Sequence, residues 1–251
     1  MAAWLLVATA TSGCETKRSE ARTELSVFAA ASLTEAFEAL ESEFERVHPE
    51  IDLQLAFAGS QVLRLQIEQG APADLFASAN EAHMRALQDA GLVDAPRIFA
   101  RNGLVVIVPD DSQTVRSFAD LASAQRIVLG TAQSPVGAYA DAVLDAAASE
   151  LGVDFSTRVR EHVVSRETNV RLVRAKVQMG EADAALVYAS DAVDTPGLRV
   201  VALPASLQID ARYPIARVVA SDAKANAERF LDFLDSEAAR TTLRARGFES
   251  E

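Results

Sequence analysis

From Glu24 onward the chain switches between two hydrophobic periods. ELSVFAA sets Leu25, Val27 and Ala29 in alternation, the period of a half-buried strand. LTEAFEALESEFERV then places Leu33, Ala36, Phe37, Leu40, Phe44 and Val47 on one helical face. The pair of periods recurs. A strand is predicted at IDLQLAF, a short helix at QVLRLQIEQ, a strand at DLFASA and a helix at EAHMRALQDAG. GLVVIVP (103–109) is a wholly apolar strand. Next come a strand at RIVLG, a helix around 136–150, a strand near 158–164, a helix over 169–179 and a strand at DAALVYA. LRVVALP and YPIARVVA (213–220) add strands, and helices at ANAERFLDFLDS and EAARTTLRARG close the chain. This alternation predicts an α/β protein with parallel sheets and helices on both faces.

The junctions between elements share a chemistry. The first strand ends at Ala31-Ser32, and Ser32-Leu33-Thr34-Glu35 has the spacing of a capping box. The second ends in Ala58-Gly59-Ser60, with a helix expected from Gln61. Ser134-Pro135 pairs an N-cap serine with proline at the first helical position, and Thr168-Asn169 precedes a helix near Val170. In parallel sheets these helix starts gather at the carboxyl edge of the strands, where open α/β sheets bind ligands. Free N–H groups and positive dipole ends favour an anion there. Spacing alone supports a non-enzymatic anion binder and goes no further.

Composition removes several other classes. With 24 Lys+Arg against 36 Asp+Glu the net charge is −12, so a basic nucleic-acid footprint is absent. No apolar run approaches the ~18–20 residues that span a bilayer. One cysteine excludes an intramolecular disulfide framework. His48, His83 and His162 lack metal-ligand spacing, so no metal centre or cofactor is implied. Phosphate-loop, dinucleotide and nucleophile-elbow motifs are missing. A serine hydrolase built on Ser60 therefore has no companion histidine motif.

Residues 2–11 form a short apolar stretch leading through Ser12 and Gly13 to Cys14. The segment resembles a bacterial lipoprotein signal, which implies a leader over 1–13 and a lipid on Cys14. Thr11 stands where such signals usually carry Leu or Val. The polar run after Cys14, to about residue 23, reads as a flexible tether.

The wording of the junctions is more specific than their physics. FAAASLTEAF, FAGSQVLRLQIEQGAPADLFASA, SPVGAYA, ETNVR and AALVYASDA occur in this order. Together they resemble the molybdate-binding solute receptors of bacterial molybdate ABC transporters, from about Glu24 to Phe248. That resemblance implies a two-lobed periplasmic-binding-protein fold, each lobe a mostly parallel sheet flanked by helices, with a two-segment hinge. The first lobe would hold 23–102 and 213–251, and the second 103–212. Matched motif to motif, the ligand contacts fall on Ser32 and Ser60 through hydroxyl and N–H, on the N–H groups of Val136 and Val170, and on the Tyr188 hydroxyl. Val136 stands where the family commonly has alanine. The implied ligand is molybdate or tungstate, and the implied partner is the transporter permease. The receptor would be a monomer outside the cytoplasmic membrane, held only by its lipid. A same-fold receptor for another anion stays open, because Arg64, Arg171 and Arg174 lie about a helical turn from the expected cleft and a carboxylate ligand calls for an arginine clamp.

Overall fold

The computed structural model describes residues 22–250. The expected leader, Cys14 and the tether up to residue 21 lie outside the described residues. In chain order the elements are β1 (Thr23–Ala30), α1 (Thr34–Val47), β2 (Ile51–Ala58), α2 (Ser60–Glu68), β3 (Leu75–Ala77), α3 (Glu81–Asp89) and β4 (Arg97–Asn102). They continue with β5 (Leu104–Pro109), β6 (Ile127–Gly130), α4 (Pro135–Leu151), α5 (Val153–Glu161), β7 (Val163–Glu167), α6 (Val170–Gln178) and β8 (Ala184–Tyr188). β9 (Leu198–Ala202), β10 (Ala211–Arg217), α7 (Lys224–Leu234) and α8 (Glu237–Ala245) complete the set.

The strands form two sheets of five, ordered β2-β1-β3-β10-β4 and β7-β6-β8-β5-β9. Each sheet belongs to one lobe. β1 runs parallel to β2 and β3, while β10 runs antiparallel to β3 and β4. The second sheet repeats the scheme, with β5 as its one reversed strand. In both cases the reversed strand is the one the chain forms directly after leaving the other sheet. β4 passes to β5 through Gly103 alone, and β9 leads across to β10. This exchange is why the sheets are mixed even though four strands of each point the same way.

Helical faces close the core as their periods demand. Ala36, Phe37, Leu40 and Phe44 of α1 are buried. Phe37 and Phe44 meet Phe230 of α7 edge-on, with ring centroids 6.0 and 5.1 Å apart. Two elements differ from expectation. The strand foreseen near 158–164 is mostly helix, since α5 buries Phe155 and Val159 four residues apart and β7 begins only at Val163. β4 has no counterpart among the expected strands, because RIFARN mixes arginines into a short segment and hides its alternation. β10 also ends at Arg217. Pro214 lies inside it, and a register shift against β4 between Tyr213 and Pro214 accommodates the missing N–H.

The GAPAD block serves the fold. Asp74 receives the Ser26 N–H at 2.8 Å and the Ser221 hydroxyl at 2.6 Å, and its carbonyl accepts from Val218 N at 2.9 Å. One side chain thus ties β1 to the turn after β10. Bonds to a charged group contribute ~1.5–3 kcal/mol each. Asp74→Ala should therefore lower the unfolding free energy by about 2–4 kcal/mol, read from urea denaturation, with unchanged far-UV circular dichroism.

Candidate functional site

The carboxyl ends of β1, β2, β6, β7 and β8 converge between the lobes. There a small cleft, partly open to solvent, is lined by residues that include Ser32, Ser60, Val136, Val170 and Tyr188. The structure therefore brings all five expected residues to one place, and each is at most 5% exposed. Ala30, Ala31, Gly59, Ala79, Ser134, Pro135 and Asn169 complete the wall. None of these residues carries a charge.

The local geometry explains what the wall offers. In α4, Ser134 Oγ accepts from Gly137 N at 3.3 Å, and the Ser134 carbonyl accepts from Ala138 N at 2.9 Å. Pro135 has no N–H, so the first turn leaves the N–H of Val136 to the cleft. In α6, Asn169 Oδ1 accepts from Leu172 N at 3.2 Å and its carbonyl from Val173 N at 3.3 Å, which leaves Val170 N–H free of the helix. α2 is capped by Gly59, whose carbonyl accepts from Val62 and Leu63. Ser60 and Gln61 thus begin that helix without intrahelical acceptors for their N–H groups. Among the extra methyls that Val136 brings, Cγ1 is turned toward Gly130, where an added β-carbon would lie 2.7 Å from it.

Two serines do not act as caps. Ser60 is the first residue of α2, and its Oγ accepts from Ala79 N at 3.0 Å across the sheet edge. Ser32 sits within a 3-10 turn (Ala31–Leu33) and makes no capping bond; α1 starts two residues later, at Thr34. The capping-box expectation fails because the extra turn moves Glu35 away from the Ser32 backbone. Glu35 instead reaches the other lobe, bonding Arg171 at 2.6 Å and Arg174 at 3.2 Å. Further contacts hold the lobes together, with Gln61 Nε2 donating to Thr168 O at 2.7 Å and His83 Nε2 lying 2.9 Å from Gln133 O. Gly59 permits this approach, since a β-carbon on it would stand 2.5 Å from Thr168 O. That role could have been read only as a glycine between strand and helix.

Tyr188 is 1% exposed and lines the cleft, yet its hydroxyl has no hydrogen bond of good geometry. Its ring packs edge-on to Tyr139 at 6.3 Å and Tyr213 at 5.7 Å. Burial first, then these two phenols, pushes its ionisation well above the ordinary range, so the proton stays on. Behind it Asp191 is buried, with Oδ2 unpaired. Burial raises the Asp191 carboxyl to about 7, against the opposing pull of Arg174. The sequence placed Asp191 in a family block without giving it a role.

The arginines considered as a clamp are engaged elsewhere. Arg64 pairs with Glu68 at 2.5 Å on its own helix, and Arg171 and Arg174 hold Glu35. A second cavity opens beside the cleft, but Glu35 and Asp194 face it together with Arg174 and Arg246. Its mixed charges give no one-sided donor set.

The sequence model described as bacterial extracellular solute-binding protein matches residues 25–249. The chain belongs to that family. Its relatives include the molybdate-binding protein ModA of Mycobacterium tuberculosis H37Rv, 35% identical over 226 residues, covering 88% of this chain and 83% of that one. ModA of Escherichia coli K12 is 32% identical over 238 residues, covering 90% and 88%. The solved periplasmic molybdate-binding protein of Azotobacter vinelandii superposes with a TM-score of 0.79 over 90% of this chain and 99% of that one. At 22% identity, that last likeness speaks to the two-lobed fold alone.

Asp191, which does not line the cleft, carries a pH signature of its own. Its carboxyl titrates near 7 when folded and near ~3.9 when unfolded, so over that window the folded chain holds a proton that the unfolded chain has lost. Stability contributed by this group therefore falls as pH rises from ~4 to ~7, by up to ~4 kcal/mol. Asp191→Asn should match the wild-type melting temperature near about pH 4 and exceed it near about pH 8. A gap of constant size across that range would contradict the assignment.

Proposed function

We propose that this protein captures molybdate in the interlobe cleft and delivers it to an ABC transporter permease. The observation that carries the reading is the chemistry of the wall. Backbone N–H groups of Ser60, Val136 and Val170, the serine hydroxyls and an unpaired Tyr188 hydroxyl face a space with no carboxylate, imidazole or cation. Molybdate is a fully deprotonated tetrahedral dianion at neutral pH and can only accept hydrogen bonds. Hydrogen phosphate brings a proton of its own, and a buried donor left unpaired costs ~1–3 kcal/mol. Tungstate has nearly the same size and charge and should bind as well. The dianion needs no counter-ion, because helix N-termini present local positive potential while the net charge of −12 is spread over a screened surface.

The rival chemistries find less support. Ser60 Oγ is already an acceptor for Ala79 N, and among the described residues no base lines the cleft to take its proton, so a hydrolase reading finds no second group there. A carboxylate receptor would need an arginine, and the three near the cleft are paired. The two lobes would hinge about the crossovers at Gly103 and between β9 and β10, closing on the ligand and presenting a loaded form to the permease. The receptor would work as a monomer outside the membrane, anchored through lipid on Cys14.

Titration calorimetry against molybdate, tungstate, sulfate and phosphate tests the reading. Molybdate and tungstate should bind with similar affinity and phosphate should give no heat; phosphate binding comparable to molybdate would overturn it. Tyr188→Phe removes one hydrogen bond to a charged ligand, worth ~1.5–3 kcal/mol, and should weaken molybdate binding about 10- to 150-fold. Unchanged affinity would make Tyr188 a packing residue.

A further inference from the structure

A donor-only cleft built partly from serines poses a problem, because a hydroxyl donates or accepts according to its surroundings. What fixes its direction lies behind the wall. Ser32 Oγ is 3.1 Å from the Tyr213 hydroxyl, and both residues are buried. Tyr213 is on β10, and its ring is wedged edge-on among Tyr188, Phe248 and Phe99 at 5.7, 5.3 and 6.5 Å. The phenol therefore cannot swing to another partner. The distance leaves the donor open, and a Ser32 hydroxyl that gives its proton to an anion in the cleft is left to accept from Tyr213. Burial keeps the Tyr213 proton on far above neutral pH.

We propose that Tyr213 is a positioning and specificity-determining residue, which donates to Ser32 Oγ and so turns the Ser32 proton into the cleft. The proposal rests on the oxyanion reading given above. A serine held in this way presents its proton, rather than a lone pair, toward the ligand, which suits an oxyanion that only accepts. Ser60 is set in the same sense by a different donor, the Ala79 N–H at 3.0 Å. That donor is backbone and no side-chain substitution removes it, whereas the Tyr213 hydroxyl can be deleted alone. Tyr213 does not line the cleft and acts only through Ser32.

The test is a double-mutant cycle on the full chain. Wild type, Tyr213→Phe, Ser32→Ala and the double variant are titrated with molybdate, and phosphate is scored by displacement of bound molybdate. Phenylalanine keeps the ring and its three aromatic neighbours, so the melting temperature serves as a check that the fold persists. In the wild-type background, Tyr213→Phe should weaken molybdate binding by about 10-fold and narrow the molybdate-to-phosphate preference. In the Ser32→Ala background the same substitution should change nothing, because the hydroxyl it orients is gone. Equal losses in both backgrounds, or no loss in the first, would overturn the role of Tyr213 while leaving the oxyanion reading intact. Failure of the wild-type protein to bind molybdate would overturn both.

Discussion

An α-helix starts with N–H groups that nothing inside the helix can bond, and the architecture depends on where those groups are sent. Here the starts of α2, α4 and α6 and the 3-10 turn at Ala31–Leu33 are all sent to one point between the lobes. Capping residues dispose of the later N–H groups in the first turn and leave the earliest ones bare. Ser134 takes Gly137 and Asn169 takes Leu172, so Val136 and Val170 are left facing the cleft. The repeated sheet order makes this convergence possible, since each lobe brings its strand ends to the same seam.

A site made of dipoles has consequences that a site made of charges would lack. Among the described residues no side-chain cation lines the cleft, so no flexible ammonium or guanidinium has to be ordered there when a ligand enters. The ion pairs stand outside it, where Glu35 of α1 grips Arg171 and Arg174 of α6. Arg171 follows Val170 directly, and Glu35 lies three residues beyond Ser32. Drawing the lobes together at that pair therefore draws together two sides of the cleft. Gly59 sets the approach limit on the opposite flank, since any side chain there would strike the Thr168 carbonyl.

Much of this was legible in the chain. Alternating periods identified the α/β class, and the Ser134-Pro135 and Asn169 signals marked two helix starts that the structure retains. Local rules failed where tertiary partners won. The Ser32 to Glu35 spacing reads as a capping box, but Glu35 finds arginines on the other lobe and Ser32 finds Tyr213, both more than 130 residues away in sequence. α5 was hidden because its short buried pair, Phe155 and Val159, runs straight into the β-branched start of β7. β4 was hidden by its arginines, and Asp191 and Tyr213 act through burial, which no spacing reveals. GAPAD, one part of the family wording, is a structural tie through Asp74.

The central claim is that a tetrahedral dianion sits in a cleft that only donates. Its most direct measurement is a crystal structure of the protein with molybdate, with data collected at the molybdenum absorption edge. The account predicts one strong anomalous peak between the lobes, with its oxygens bonded to Ser32, Ser60, Val136, Val170 and Tyr188. A peak beside Arg174 and Arg246 in the neighbouring cavity, with the cleft empty, would contradict it.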